Sequence, residues 1–204
     1  MEIAEQQQSP FIILTANASH AQHAEHISHL IAEGAKTRGI GRGGRPAAYL
    51  AEKMVNGHAI IAFHEDGSLA GFSFLDIWHG GAYVANAGFI VAPAYRGLSL
   101  GKDIKVKAFE LARSLFPEAK IFGITTTAAV MHMNNALGYV AVPYSELPQD
   151  DAYWAGCAKC PFYDVLQRAQ RKCCLCTAMV FDPAKADVHG TLLKEQEPVW
   201  VSKY

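Results

Sequence analysis

The passage from residue 84 to residue 116 constrains the fold of this chain more than any other. Residues 84–90 are an apolar run, residues 91–102 read VAPAYRGLSLGK, and apolar side chains then recur at every third or fourth position. This pattern predicts a strand, a tight turn and an amphipathic helix. A turn that opens a helix exposes unpaired backbone N–H groups where the helix dipole is positive, and diphosphates bind at such places.

Glycines and cations in this turn favour the same chemistry. Gly97 and Gly101 lack the side chains that would keep a phosphate from the backbone, and Arg96 and Lys102 supply full positive charges. The sequence therefore predicts an anion-binding turn, followed by a helix that ends before Pro117.

The rest of the chain is patterned as a mixed α/β domain. Apolar runs predict strands at residues 11–15, 58–64, 69–78, 83–91, 121–127, 139–142 and 177–181, and helical spacing predicts helices at residues 20–33, 46–56 and 128–137. The Asp66-Gly67 pair predicts a hairpin between the second and third strands. The strand, helix and strand of residues 121–142 predict a parallel pair.

Length and charge limit the classes of protein to which the chain can belong. Its 204 residues are half apolar and carry a net charge of −1, which is typical of one globular domain spanning residues 1–204. This balance gives no general attraction to nucleic acid or to an anionic membrane. Because no stretch is apolar enough for a membrane span or an N-terminal signal, we expect a cytoplasmic location with no nucleic-acid or membrane partner.

The cysteines are crowded into one segment near the C-terminus. All five lie at residues 157–176, within a stretch of altered composition at residues 144–176 that we interpret as an insertion, and residues 182–204 follow as a tail. The spacing favours a structural zinc site with four of the five as ligands, reduced thiols and disulfides being the alternatives. The candidate ligands are Cys157, Cys160, Cys173, Cys174 and Cys176.

The order of these elements resembles the GNAT superfamily of acyl-CoA-dependent N-acetyltransferases over residues 11–142. The family signature Arg/Gln-x-x-Gly-x-Gly/Ala stands here as RGLSLG at residues 96–101, after VAPAY at residues 91–95. Ser99 replaces one glycine, which a negative φ would accommodate. The PYSEL segment at residues 143–147 and the cysteine cluster look like a bacterial branch linked to arginine biosynthesis, whose members acetylate the α-amine of glutamate.

The resemblance implies acetyl-CoA as co-substrate and a central mixed, splayed sheet flanked by helices. In such folds two parallel strands, here residues 83–91 and 121–127, diverge, and the pantetheine arm of CoA bonds the free edge of the first. The implied cofactor-binding residues are Phe89, Ile90, Val91, Arg96, Gly97, Leu98, Ser99, Leu100, Gly101 and Lys102. The implied reaction is a direct attack of an amine on the thioester in a ternary complex.

Groups that could move protons are sparse in this sequence. The family commonly protonates the departing thiolate with a tyrosine, and Asn134 stands at that position, although an amide is not an acid. His79 is the nearest side chain that titrates around neutrality and is a candidate base, the alternative being an exposed loop histidine. Tyr83 and Tyr144 are the other candidates for proton transfer.

The loop of residues 34–45 predicts the acceptor. In such folds, the connection between the first two helices forms one wall of the acceptor site. Arg38, Arg42 and Arg45 of this loop could each bind a carboxylate through two hydrogen bonds. A solvated cationic loop is an equal alternative. We therefore expect a small-molecule amine bearing a carboxylate, such as glutamate. The rival hypothesis is an acyl-CoA-binding sensor or interaction protein with impaired catalysis; the oligomeric state stays open, a homodimer being one option.

Overall fold

A computed structural model describes residues 9–186. Its strands are β1 (Phe11–Thr15), β2 (Ala59–His64), β3 (Leu69–Trp78), β4 (Tyr83–Val91), β5 (Lys120–Thr125), β6 (Val140–Ala141) and β7 (Thr177–Phe181). They form one mixed sheet in the order β1-β2-β3-β4-β5-β7-β6. The predicted α/β class is confirmed.

Helices cover both faces of this sheet. They are α1 (Ala24–Arg38), α2 (Ala47–Val55), α3 (Leu100–Leu115), α4 (Ala128–Ala136), α5 (Asp151–Ala155) and α6 (Tyr163–Arg168). The first two pack on one face, where Phe72, Phe74 and Ile90 are buried, and α3 and α4 pack on the opposite face. None of the described helices combines the length and the apolar character that a membrane crossing requires.

The centre of the sheet is split. Strands β4 and β5 run parallel but pair only where Tyr83, Val84 and Ala85 face residues 120–122. Two residues of β4, Gly88 and Phe89, stand between the Ala87 and Ile90 pairs where β3 has a single residue, which makes a β-bulge. The bulge bends β4, and beyond Ala85 its edge toward β5 has no strand partner among the described residues.

Gly88 is required at this bulge. Its φ of +60° lies in the left-handed region, and a Cβ atom there would lie 2.3 Å from Cε1 of Phe74. Only a residue without a side chain lets the bent strand pass so close to the core.

The first helix is longer than the sequence pattern predicted. It continues past Gly34 to Arg38 and ends at Gly39, whose φ is +65°. Gly34 lies inside the helix and does not end it. The helix packs closely on β4 at this position, where a Cβ atom would lie 3.0 Å from Cδ1 of Ile90. The basic segment of residues 34–45 therefore begins as helix, and only its second half is a loop.

The predicted parallel pair between residues 121–127 and 139–142 is wrong. Strand β7 lies between β5 and β6 and pairs antiparallel with both. Five residue pairs join β7 to β5, whereas β6 has only two residues, both exposed. The long excursion of residues 142–176 allows the chain to return and add the longer strand against β5.

The cysteine-bearing segment is anchored to the sheet by aromatic side chains. Tyr153 and Trp154 of α5 and Leu166 of α6 are buried together with Phe122 and Val180 of the sheet. The segment is thus continuous with the core and needs no metal to supply one. The tail predicted from residue 182 lies outside the described residues from residue 187 onward.

Candidate active site

A large cavity opens where β4 and β5 diverge. Its volume is about 690 Å³. Residues 85–91 of β4 and residues 123–127 form its floor, and α1, α3, α4 and the cysteine-bearing segment form its walls. One connected space therefore reaches both faces of the split sheet.

The turn predicted to bind anions lies at one end of this cavity. It links the end of β4 at Val91 to the start of α3 at Leu100, and the N–H groups of residues 97–101 make no backbone hydrogen bond. Arg96 folds back so that its Nε donates to the carbonyl oxygen of Val91 at 3.2 Å. The positive end of a 16-residue helix adds to this field.

The backbone of the turn differs from the sequence prediction at one residue. Ser99 has a φ of +63°, in the left-handed region, although we expected a negative φ. Gly97 also has a left-handed φ, +82°, so two residues of the turn adopt this conformation. Two predicted contacts are restricted to the backbone, because the Leu98 side chain is exposed and Leu100 is buried under the sheet.

Three predicted arginines line the cavity but separate into two groups. Arg38, at the end of α1, lies beside Gly34 and near Arg96, and burial followed by the charge of Arg96 lowers its pKa. Arg42 lies deeper, its guanidinium carbon 4.2 Å from the ring centroid of Tyr153. Arg45 Nη1 donates to the carbonyl oxygen of Arg42 at 3.5 Å. The first arginine belongs with the anion-binding turn, and the other two belong with the opposite wall.

Arg42 has hydrogen-bond donors that the described residues leave without an acceptor. Its Nε and Nη2 atoms are buried and have no hydrogen-bond partner among the described residues. An unpaired buried guanidinium is costly, so such an arrangement favours an anionic ligand that accepts from both atoms.

The sequence analysis missed the carboxylate of this site. Asp76 of β3 is the only Asp or Glu among the described residues that line the cavity. Its Oδ1 accepts from the Tyr49 hydroxyl at 2.5 Å and from Lys53 Nζ at 2.8 Å. Only the pairing of β3 with β4 brings it beside Ala85, at the point where the strands diverge. No motif marked it.

Two of the four predicted proton-transfer residues do not reach the cavity. His79 lies at the far end of β3, where its Nε2 is 2.5 Å from Oδ2 of Asp150, and its ring contacts Tyr83 edge-on. Neither lines the cavity. The prediction that they act at this site is therefore not supported by their position.

Tyr144 and Asn134 do line the cavity. The Tyr144 hydroxyl donates to the carbonyl oxygen of Cys176 at 2.8 Å, and burial raises the pKa of Tyr144. It is thus a poor acid. Asn134 is 2% exposed, its Nδ2 lies 3.6 Å from the sulfur of Met179, and its Oδ1 has no partner.

Two more buried polar groups, both missed by the sequence analysis, face the same space. Asn86 of β4 accepts from the Ser73 hydroxyl at 2.9 Å, while its Nδ2 has no partner. Lys105 of α3 is 4% exposed, with Nζ 5.3 Å from the ring centroid of Phe89. Lys105 follows Gly101 by one helical turn, a spacing that could have marked it.

The zinc site predicted at the cysteines is not supported. In residues 9–186, no three side chains of His, Cys, Asp or Glu stand close enough to hold an ion. All five cysteines are free, and four of them, all but the exposed Cys173, line the cavity. Burial, followed by the neighbouring thiols, raises the pKa of Cys176 to about 12, so it stays a neutral thiol. The segment supplies an apolar wall instead of a metal clip.

Comparison with known proteins gives structural matches only. No family model and no curated protein matches the sequence. Among solved structures, the chain is similar to N-acetylglutamate synthase from Neisseria gonorrhoeae complexed with coenzyme A and N-acetyl-glutamate, with a TM-score of 0.61 and 18% identity over 86% of this chain and 36% of that one. The chain has the GNAT fold.

Other GNAT-fold structures match over nearly their whole length. A phosphinothricin acetyltransferase from Sinorhizobium meliloti in complex with acetyl-CoA has a TM-score of 0.56 and 13% identity over 84% of this chain and 86% of that one. A Mycobacterium tuberculosis protein in complex with CoA has a TM-score of 0.56 and 16% identity over 84% and 98%. This chain spans only about a third of the gonococcal synthase, so the GNAT fold alone is shared with that protein.

Proposed function

We propose that this protein is an N-acetyltransferase that moves an acetyl group from acetyl-CoA to the amine of a small carboxylate-bearing metabolite. The observation that carries the proposal is the gap between β4 and β5, with an unpaired strand edge on one side and five free N–H groups at one end. These features fit a ligand with a diphosphate and an extended amide-containing arm.

Different residues of the gap bind different parts of acetyl-CoA. The turn at residues 96–102 and Arg38 hold the pyrophosphate, and the main chain of residues 89–91 bonds the pantetheine amides. The bulge at Gly88 leaves the thioester carbon open to the space between α1 and α5. The sheet thus separates the anion-binding end from the acceptor end of the cavity.

The acceptor end fits an amino acid. Arg42 offers two buried, unpaired donors to a carboxylate, and Asp76 offers the single carboxylate of the cavity wall to an ammonium. Because Tyr49 and Lys53 stabilise the charge of Asp76, this residue is suited to orient the amine, whose proton leaves to water. Glutamate, the acceptor of the branch that the sequence resembles, meets these requirements.

A thiol-release assay with acetyl-CoA and matched amines tests the proposal. Each amino acid is compared with its decarboxylated amine, and we expect turnover with the former only. Arg42→Met should raise KM for the amino acid by about 100-fold, as expected for loss of a charged hydrogen-bond pair. Arg168→Met, an exposed arginine on α6, is the matched control and should leave KM unchanged.

The same assay separates the rival function, a sensor that binds acyl-CoA without catalysis. The sensor hypothesis is suggested by Asn134, because its amide stands where a proton donor is expected and cannot act as an acid. A sensor would be stabilised against heat by acetyl-CoA and would release no thiol with any amine in the panel. Turnover with any amino acid would exclude it.

A further inference from the structure

The face of the gap covered by α3 and α4 holds three buried polar side chains, and two of them, Asn86 and Asn134, have a buried atom without a hydrogen-bond partner among the described residues. They come from three elements: Asn86 from β4, Lys105 from α3 and Asn134 from α4. All three line the cavity. Buried polar groups are normally paired, so three such side chains converging on one space indicate a ligand that pairs them.

Lys105 has the greatest need of a partner among the three, because an unpaired buried charge costs more free energy than an unpaired neutral group. Its ammonium makes no hydrogen bond or ion pair with the described residues. It lies over the ring of Phe89, with Nζ 5.3 Å from the ring centroid. Asp76, the only acidic side chain that lines the cavity within residues 9–186, is held by Tyr49 and Lys53 of α2, which packs on the opposite face of the sheet. The described residues therefore supply no counter-ion.

The anion that Lys105 needs must come with the bound molecule. Acetyl-CoA brings its phosphates, and these have their own site at the N-terminus of α3. Lys105 lies one helical turn, about 6 Å, farther along the helix. Asn86 marks the closed end of the gap, since it is the first residue of β4 beyond the last pair with β5. Lys105 thus lies between the turn of residues 96–102, which holds the phosphates, and the closed end of the gap, which the thioester approaches.

We propose that Lys105 protonates the sulfur of CoA as it leaves, the role that a tyrosine at position 134 would otherwise have. This inference rests on the proposed acetyl transfer. The amine nitrogen forms a bond to the acetyl carbon, the carbon–sulfur bond breaks, and its electron pair goes to sulfur. Lys105 gives sulfur a proton from Nζ and is left neutral, and the acceptor nitrogen loses its extra proton to water.

The chemistry of a buried amine suits this step. After transfer, Lys105 is uncharged in an apolar site, which relieves the cost of an unpaired ammonium. Nζ then takes a proton from water as the products leave. Asn86 Nδ2 is placed to donate to the carbonyl oxygen as negative charge develops there.

A binding experiment that needs no acceptor tests the role of Lys105. Calorimetry compares CoA with desulfo-CoA, which lacks the sulfur, for the wild type, for Lys105→Met and for Lys107→Met. Lys107 is an exposed lysine of the same helix and is the matched control. We expect the wild type and Lys107→Met to prefer CoA by about tenfold or more, because the sulfur and Nζ of Lys105 share a hydrogen bond that desulfo-CoA cannot make.

Lys105→Met should bind both ligands alike, with its affinity for desulfo-CoA unchanged. Methionine is also unbranched and is one atom shorter than lysine, and it removes the charge together with the hydrogen-bond donors. An unchanged preference for CoA, or an equal loss of affinity for both ligands, would overturn the proposal in favour of a structural or phosphate-binding lysine.

Turnover provides the second readout. With an active amino acid, Lys105→Met should lower kcat by about 100-fold or more and leave KM for the amine nearly unchanged. A variant that turns over normally disproves the role of Lys105 and leaves acetyl transfer intact. A wild-type protein that binds neither CoA nor desulfo-CoA would refute the proposed function itself.

Discussion

At the scale of single residues, the site is built from groups that the fold would be more stable without. Within the part of the chain that the structure describes, the buried ammonium of Lys105 has no hydrogen-bond partner and Arg42 has two unpaired donors, and Ser99 adopts a left-handed φ. Each lines the same cavity. Such strain at one place is typical of a binding site whose ligand completes the interactions.

Lys105→Met should stabilise the ligand-free protein at neutral pH. Burial lowers the pKa of Lys105 to about 8, below the ordinary value of 10.5, with no contribution from the cations Arg96 and Lys102 or from any other charged group. Between these two values the unfolded chain binds more protons, so wild-type stability rises with pH. Chemical denaturation should show a gain of up to about 3 kcal/mol at pH 7 that shrinks toward pH 10. A constant difference would contradict this prediction.

Ser99→Gly should also stabilise the protein. Glycine adopts a φ of +63° without the steric cost that a side chain carries, and the gain should be about 0.5–1 kcal/mol in the free energy of unfolding. The affinity for CoA should stay within a few fold, because the backbone amides keep their directions. A loss of stability would show that the serine hydroxyl makes an essential contact.

At the scale of elements, the bulge in β4 creates the functional gap. Strand β4 is paired with β3 along most of its length but with β5 over only three residues. The extra residue at Gly88–Phe89 bends the strand away from β5 and leaves its polar edge free. In the proposed function, this free edge binds the pantetheine arm of acetyl-CoA within the sheet.

Gly88→Ala should damage this element severely. The new methyl group would collide with the ring of Phe74, and we expect a loss of about 2–4 kcal/mol in the free energy of unfolding together with weaker CoA binding. Gly67→Ala is the matched control, because Gly67 also has a positive φ but has open space around it. The control should lose only about 1 kcal/mol. Equal losses would argue against a packing role for Gly88.

At the scale of the whole molecule, one sheet presents two different surfaces to one cavity. The face under α1, α2 and α5 carries Arg42 and Asp76, whereas the face under α3 and α4 carries Lys105 and Asn134. In the proposed reaction, the acceptor and the leaving group thus lie on opposite sides of the thioester. Such separation would let an amine attack on one side while sulfur leaves on the other.

Acetyl-CoA should stabilise the whole domain against heat. A ligand that binds only the folded state adds about 2.7 kcal/mol at a concentration 100 times its Kd, and thermal unfolding measures the resulting shift in Tm. Arg96→Ala should reduce this shift because it removes a charge from the phosphate turn, while Arg168→Ala should not. An equal shift in both variants would argue against phosphate binding at this turn.

The sequence by itself determined most of the strands and helices, the GNAT-like order and the position of the glycine-bearing turn, because these depend on local signals. Alternating apolar residues, the hairpin at residues 66–67 and the glycine-bearing turn at residues 96–101 are contiguous in the chain. The structure confirms the strand that ends at Val91 and the helix that begins at Leu100. Local propensity also identified the strand of residues 177–181, although not its neighbours.

Only the tertiary structure decided which side chains meet. Asp76, Asn86 and Lys105 are separated by up to 29 positions and follow no motif, and only strand pairing and helix packing bring them to one cavity. The same is true of the cysteines, whose spacing indicated a metal while their fold makes an apolar wall. Spacing along a chain fixes local geometry, but burial and unpaired charge arise only when distant segments pack together.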